Sequence, residues 1–311
     1  MRTGLLRVHR TACALTFVTS LLMACGARTA LLAPETESTP GDAADAHGIT
    51  EGSADDAALV DSSCSKDSDC DDGVACTVDE CNAEAPGCKH TPVNARCPVS
   101  QLCDPVLGCV ALAFAVDRSS LYDIRLPSAH YTLLGGTGNA LLTDVALHPD
   151  NILYGISTAA LYTLDQDTGA PTQVALVPEG LNALDAAPDG TLYGAGGGTL
   201  YALDRKTGKA TPLIAFPPAT VSSGDLVFIG PRLLAAAKTA SDDALVELDL
   251  AKKTSRIIGQ IGYACVWGMA AYGTDLYGFT CNGEVLTIDP ETGASMLITQ
   301  NGIHFDGASA R

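Results

Sequence analysis

Basic residues are scarce in this chain: 18 Lys and Arg stand against 36 Asp and Glu, a formal charge of −18 at pH 7. An acidic surface repels phosphate backbones, which argues against nucleic-acid partners, and no polybasic patch is present to hold a membrane surface. Aromatic residues make up only 5% of the sequence, with Trp267 the single tryptophan. No apolar run reaches the roughly 20 residues a bilayer-spanning helix requires. No Cys-x-x-Cys pair occurs, which tells against a structural zinc site. The histidines His130, His148 and His304 are scattered, and no Ser or Cys stands in a nucleophile-like turn, so a catalytic triad is not indicated. No catalytic residue is therefore assigned.

What is present first is a targeting pattern. Arg2, Arg7 and Arg10 precede the apolar stretch from Ala12 to Met23, too short to span a membrane and shaped like a signal segment. It closes on Leu22-Met23-Ala24-Cys25-Gly26, which resembles a lipobox. The resemblance implies cleavage before Cys25, a lipid on its thiol and, with Gly26 rather than Asp after it, residence at the outer membrane or cell surface. Each buried acyl methylene contributes about 0.8 kcal/mol, so several chains hold a protein durably where one does not. Membrane contact is expected through this lipid alone.

Residues 26–62 are Ala, Asp, Thr, Ser, Pro and Glu without aromatic residues or periodicity, a composition that cannot offset its chain entropy and reads as an acidic tether. Residues 63–110 hold eight cysteines, Cys64, Cys70, Cys76, Cys81, Cys88, Cys97, Cys103 and Cys109, with almost no large apolar side chains between them. Cross-links must stabilise such a segment, although spacing alone does not choose among the pairings. The run from Asp71 to Cys81 resembles the cysteine-rich repeats of surface proteins in social and predatory soil bacteria. Asp67, Asp69, Asp71 and Asp72 ahead of Gly73 suggest a weak calcium loop or, more simply, a solvated acidic one.

Residues 111–311 repeat. An apolar strand recurs as Leu121-Tyr122-Asp123-Ile124, Leu161 to Asp165, Leu200 to Asp204, Leu245 to Asp249 and Val285 to Asp289, at spacings of 40, 39, 45 and 40 residues. A second strand precedes three copies, at Ile152 to Gly155, Leu192 to Gly194 and Leu276 to Gly278. Strands apolar on both faces fit sheets packed between neighbours, and a ring of such meanders is a β-propeller. The expectation is an all-β protein: a five-bladed propeller behind a small disulfide-rich module, with six blades the rival count if a degenerate unit lies in the 45-residue interval. The terminal Phe305 to Ser309 matches the first strands around Asp144 and Asp225, so the last strand should complete the first blade. Cys265 and Cys281 flank one turn at nearly equal distances and should form a cross-strand bridge.

The recurring Asp-x-x-Thr-Gly segments, Asp165 to Gly169, Asp204 to Gly208 and Asp289 to Gly293, read as structural turns because recurrence points to fold. The stretch from Leu200 to Lys209 is similar to repeats of quinoprotein-type propellers, whose docking tryptophans this chain lacks. First strands line a propeller channel, and there Asp144, Asp225 and Asp306 could hold a divalent ion such as calcium, as in gluconolactonase-like propellers. Trp267 and Asn182 are the ligand-binding candidates, with Tyr272 and Tyr277 as further rings for stacking on sugars. Two readings follow: a non-enzymatic surface protein whose propeller face binds a protein or glycan without any cofactor, and a metal-dependent, lactonase-like hydrolase using the channel acids.

Overall fold

The computed structural model describes residues 64–82, 87–98, 101–300 and 302–311; Cys25, the signal segment and the acidic tether lie outside them. Five four-stranded antiparallel blades make up the propeller. From axis to rim, blade two runs Asp144–Leu147, Leu153–Ile156, Ala160–Leu164 and Pro171–Leu176, and blade three Ala183–Ala186, Leu192–Gly196, Thr199–Leu203 and Ala210–Ala215. Blade four runs Val221–Ile229, Arg232–Lys238, Asp243–Asp249 and Thr254–Gln260; blade five runs Val266–Tyr272, Asp275–Thr280, Glu284–Ile288 and Ser295–Gln300. Blade one closes the ring: the C-terminal Gly307–Ala310 pairs with Val116 to Ala113 as its innermost strand, ahead of Ser120–Leu126 and His130–Gly136. The count is five, and the long interval goes into the nine-residue first strand and seven-residue second and third strands of blade four rather than a sixth blade.

Apolar residues on both strand faces now have a destination. One hydrophobic cluster fills each of the five junctions between neighbouring blades, for example Phe114, Leu121, Leu142 and Leu153 between blades one and two, and Tyr122, Phe279 and Phe305 between blades five and one. Burying one such side chain contributes about 1.5–3 kcal/mol, so the blades hold one another far more than any holds itself.

The rim strands carry a repeated irregularity. Each has a β-bulge, and the unpaired residue is Leu134, Val174, Leu213, Ile258 or Ile298. The extra residue bends the strand, and four of the five, all but Val174, pack against the neighbouring interblade cores.

The Asp-x-x-Thr-Gly segments are turns between third and fourth strands. Asp165 and Asp204 each accept backbone N–H bonds from the residues two and three positions on, and Asp289 does the same. Their glycines have two jobs. Gly169, Gly208 and Gly293 sit at φ of +70°, +68° and +76°, and each touches the rim strand of the preceding blade, at Gly135, Leu176 and Gly259. The positive φ favours glycine, and the close approach leaves no room for a Cβ.

The cysteine module is held by Cys64–Cys81, Cys70–Cys88, Cys76–Cys103 and Cys97–Cys109. Among its described residues the buried apolar ones are Cys70, Cys76, Cys103 and Val110, so disulfide sulfur supplies most of the core they form. A bridge closing a loop of about 15 residues contributes about 3 kcal/mol by restricting the unfolded chain. The module is not a loose bead. Gly108–Asp117 begins in the module, paired with Gln101–Asp104, and continues into blade one, so the 110/111 boundary falls inside a strand. Asp104 pairs with Arg125 of the next strand at 3.3 Å.

The turn glycines yield a paired test. Gly208→Ala should destabilise the protein by roughly 3 kcal/mol or more, because strain at positive φ adds to overlap with the Leu176 carbonyl. Gly230→Ala, also at positive φ but facing open space, should cost only about 1 kcal/mol. Urea unfolding of both variants measures the difference.

Candidate functional site

Each inner strand is paired on one side only, so its axial edge presents backbone N–H groups to a space with no neighbouring strand. Side chains from the adjacent blade meet them. Ser309 of blade one accepts from Leu147 N–H of blade two at 2.9 Å, Asp144 of blade two from Leu184 N–H of blade three at 2.6 Å, and Asp185 of blade three from Phe228 N–H of blade four at 2.7 Å. Asp225 of blade four accepts from Met269 N–H of blade five and, at 3.3 Å, from Ala308 N–H of blade one. The ring of clasps is complete. Glycines make the close approach feasible: a Cβ at Gly307 would overlap Asp144, and one at Gly268 would press on the Gly307 backbone.

These acids are buried at low dielectric, and burial is the largest influence on each. Burial and then repulsion from Asp225 push Asp144 well above the usual carboxylate range, against the hydrogen bonds from Leu184 and Val145. Burial likewise raises Asp225, helped by repulsion from Asp185 and opposed by donation from Met269 and Ala308. Each is therefore protonated more readily than an exposed carboxylate. Asp185 is pushed up to about 7 by burial, against donation from Ala186 and Phe228.

The acids separate two depressions on the axis. One, of about 170 Å³, is lined by Asp185, Phe228, Met269, Ser309 and neighbours at the C-terminal ends of the inner strands. The other, of about 220 Å³, lies at their N-terminal ends and is lined by Arg118, Thr143, Asn182, Ser223, Gly224, Trp267 and Asp306. Thr143, Asn182, Gly224, Trp267 and Asp306 each stand one residue before the inner-strand position that holds Asp144, Ala183, Asp225, Gly268 and Gly307. Five equivalent positions thus converge on one mouth with five different residues.

Several features fix this mouth. The Cys265–Cys281 bridge joins the loop leading to Trp267 to the hairpin between the second and third strands of blade five. Buried Asp243 accepts from Ser223 Oγ and from Val266 N–H, so it positions residues on both sides of the blade four–five junction. His304 sits edge-on to Trp267 at 6.5 Å between ring centroids. Asn182 Oδ1 and Asp306 Oδ2 are buried without a hydrogen-bond partner, as are Ser222 Oγ and Asp225 Oδ1. Burial raises Asp306, while nearby His304 and Arg118 pull it down.

Of the residues singled out from sequence, Asn182, Trp267 and Asp306 meet at this mouth. Asp144 and Asp225 lie beneath it as blade clasps. The three acids do not converge as ligands: among the described residues, Asp144, Asp225 and Asp306 do not form a group whose carboxylate oxygens all lie within 4.8 Å of one another. Tyr272 and Tyr277 require correction as stacking rings, because both are buried in the core between blades five and one. In the module, Asp69, Asp71 and Asp72 accept from Ser65, Gly73 and Val74 in local turns, and Asp67 accepts from the Cys81 N–H of the following strand. Asp72 and Asp79 also flank His90 Nδ1 at 3.2 and 2.9 Å. His148 is buried, with Nε2 2.9 Å from the Gly190 carbonyl between blades two and three, and serves packing. Arg118, Ser223, Asp185 and Asp243 were not read from sequence. Arg118 and Asp243 lie outside the first strands, and only folding brings them to the mouth.

No family model matches the chain, and no curated protein does. Solved structures of similar shape include TolB of Acinetobacter baumannii, at 13% identity over 75% of this chain and 62% of that one, TM-score 0.43. A chain of a nidogen/laminin complex is 11% identical over 65% of this chain and 98% of that one, TM-score 0.43. A symmetrical protein of de novo evolutionary emergence is 18% identical over 63% of this chain and 93% of that one, TM-score 0.44. None of these likenesses lends this chain a ligand or an activity.

The buried acids set a pH dependence. Asp185 holds its proton up to about pH 7 in the fold but releases it near 3.8 when unfolded, so its stabilising contribution is full below the lower value and is lost as pH rises through the upper one. Asp144 and Asp225 act in the same direction. Surface acids such as Asp165 and Asp204 are shifted down and lose their contribution only below the ordinary range. Unfolding free energy in urea should therefore fall between about pH 4.5 and pH 8, and Asp185→Asn should flatten that slope.

Proposed function

We propose that this protein is a non-enzymatic lipoprotein of the outer membrane or cell surface, anchored through Cys25, whose propeller binds a protein or glycan ligand at the channel mouth. The observation that carries the reading is the convergence of Thr143, Asn182, Trp267 and Asp306 from equivalent positions of four blades, joined by Arg118, with buried oxygens on Asn182 and Asp306 left unpartnered. Buried polar atoms in a native protein are nearly always satisfied, so such orphans call for a partner. Recurring residues serve the fold, whereas the mouth positions differ from blade to blade, as a site shaped for one asymmetric ligand would.

Orientation supports the same reading. The module joins blade one where Gln101–Asp104 pairs beside Ala111, opposite Leu126, whereas Arg118 stands at the other end of the same hairpin. The mouth therefore lies at the end of the propeller remote from the module. The mouth is thereby left clear of the module.

The hydrolase alternative rests on the channel acids, and these fit calcium poorly. Calcium takes six to eight oxygen ligands, while three of the four carboxylate oxygens of Asp144 and Asp225 already accept backbone N–H bonds. No cofactor is part of the reading.

Glycan arrays and partner capture with the secreted, disulfide-bonded protein test it. Trp267→Ala and Asp306→Ala should each weaken the captured ligand at least tenfold, whereas Arg205→Ala, on the flank at the far end of blade three, should leave binding unchanged. Ligand capture that ignores both mouth substitutions would place the binding surface elsewhere.

A further inference from the structure

The chemistry of the mouth narrows its ligand, on the footing that the mouth is the binding site. Its free hydrogen-bonding groups are of both kinds. Asn182 Oδ1 and Asp306 Oδ2 are acceptors without donors. Arg118 lines the same cavity, and among the described residues its guanidinium makes no ion pair. Asp306 and Arg118 bring one negative and one positive charge, so the cavity carries no net charge for an ionic ligand to answer. Trp267 adds a flat apolar ring. The volume of about 220 Å³ gives room within the depression for one compact ring.

A neutral ligand that offers hydroxyls around its perimeter and C–H groups on its face satisfies all of these at once, since each hydroxyl both donates and accepts. An organic cation would suit Asp306 and the indole but would leave Arg118 opposed, and an anion would suit Arg118 but oppose Asp306. We infer that the channel mouth binds a single neutral sugar ring, stacked on Trp267, donating hydroxyl hydrogens to Asn182 Oδ1 and Asp306 Oδ2 and accepting from Arg118. For a ligand of this size the expected Kd is on the order of 1 mM.

The chain carries its own reporter, because Trp267 is the only tryptophan. Titrating the intact protein with glucose, galactose, mannose and N-acetylglucosamine, with choline and glutamate as charged controls, should give a saturable shift of tryptophan emission for at least one sugar and none for the controls. Asp306→Ala and Asn182→Ala should each weaken that sugar at least fivefold. Asp306→Ala should leave the melting temperature unchanged or higher, because it removes an unsatisfied buried oxygen, whereas Asn182→Ala also removes the bond from Nδ2 to the Ser222 carbonyl; a drop of several degrees in Asp306→Ala would mark a structural role instead.

Silence toward every sugar up to about 100 mM, or a shift produced only by choline or glutamate, would overturn the sugar assignment. If a captured macromolecule is nevertheless lost in Trp267→Ala, the mouth stands as the binding site and only the ligand class falls. If neither sugars nor captured partners depend on Trp267, both fall together.

Discussion

The structure depends on the treatment of five strand edges that face one another across the propeller axis. An amide left unsatisfied there would cost about 1–3 kcal/mol, and the innermost strands have no further strand to pair with. The protein answers with side chains borrowed from the neighbouring blade: Ser309, Asp144, Asp185 and Asp225. The clasps stand in two tiers. Asp144 and Asp225 occupy the same place in their repeats, and Asp185 and Ser309 a place two residues further on. An odd number of blades cannot alternate two tiers around a ring without a break. The break falls at blade five, where Gly268 supplies no side chain and Asp225 reaches both Met269 of blade five and Ala308 of blade one.

This solution has a cost that shapes the rest. Acids held against backbone amides are pulled toward ionisation, while burial and mutual repulsion push them the other way, and burial dominates. Asp144 and Asp225 thus lie buried on the axis between the depressions at its two ends. Glycine at the facing positions 268 and 307 follows from the same crowding. Away from the axis the blades are joined by apolar clusters and by turn glycines that reach under the preceding rim, so each blade is completed by its neighbour, and the last strand of the chain completes the first blade. The disulfide module is then carried on blade one by a shared strand, without a joint.

How far the sequence was legible follows from these same interactions. Second and third strands announced themselves because their apolar residues and closing Asp recur at blade spacing, and closure was readable because Phe305 to Ser309 repeats the pattern of a first strand. The rim strands were not readable: a bulge at Leu134, Val174, Leu213, Ile258 and Ile298 interrupts the two-residue alternation that marks a strand. Asp144 and Asp225 accept from amides of the next blade, a role that a sequence does not display because it records the acid and not the facing amide. Tyr272 and Tyr277 were misread for a related reason. When both faces of a strand are apolar, periodicity cannot say which ring is enclosed between blades.

The mouth is the counterpart of this argument. Along the axis, equivalent positions are filled according to what the adjacent backbone needs, and the residues there are explained by the fold once the clasps are drawn. One residue earlier in each repeat, Thr143 and Asn182 bond the Ile156 and Ser222 carbonyls and Gly224 leaves room for Trp267, yet Thr143, Asn182, Gly224, Trp267 and Asp306 share no common chemistry. Two of them keep buried oxygens unpartnered, at a cost in folded stability that no contact within the chain repays. The surroundings are nevertheless rigid: a disulfide pins the approach to Trp267, and Asp243 ties Ser223 to Val266 across a blade junction. Rigid support beneath unsatisfied polar groups is the arrangement of a preformed site, since ordering completed during folding need not be repeated when a ligand arrives.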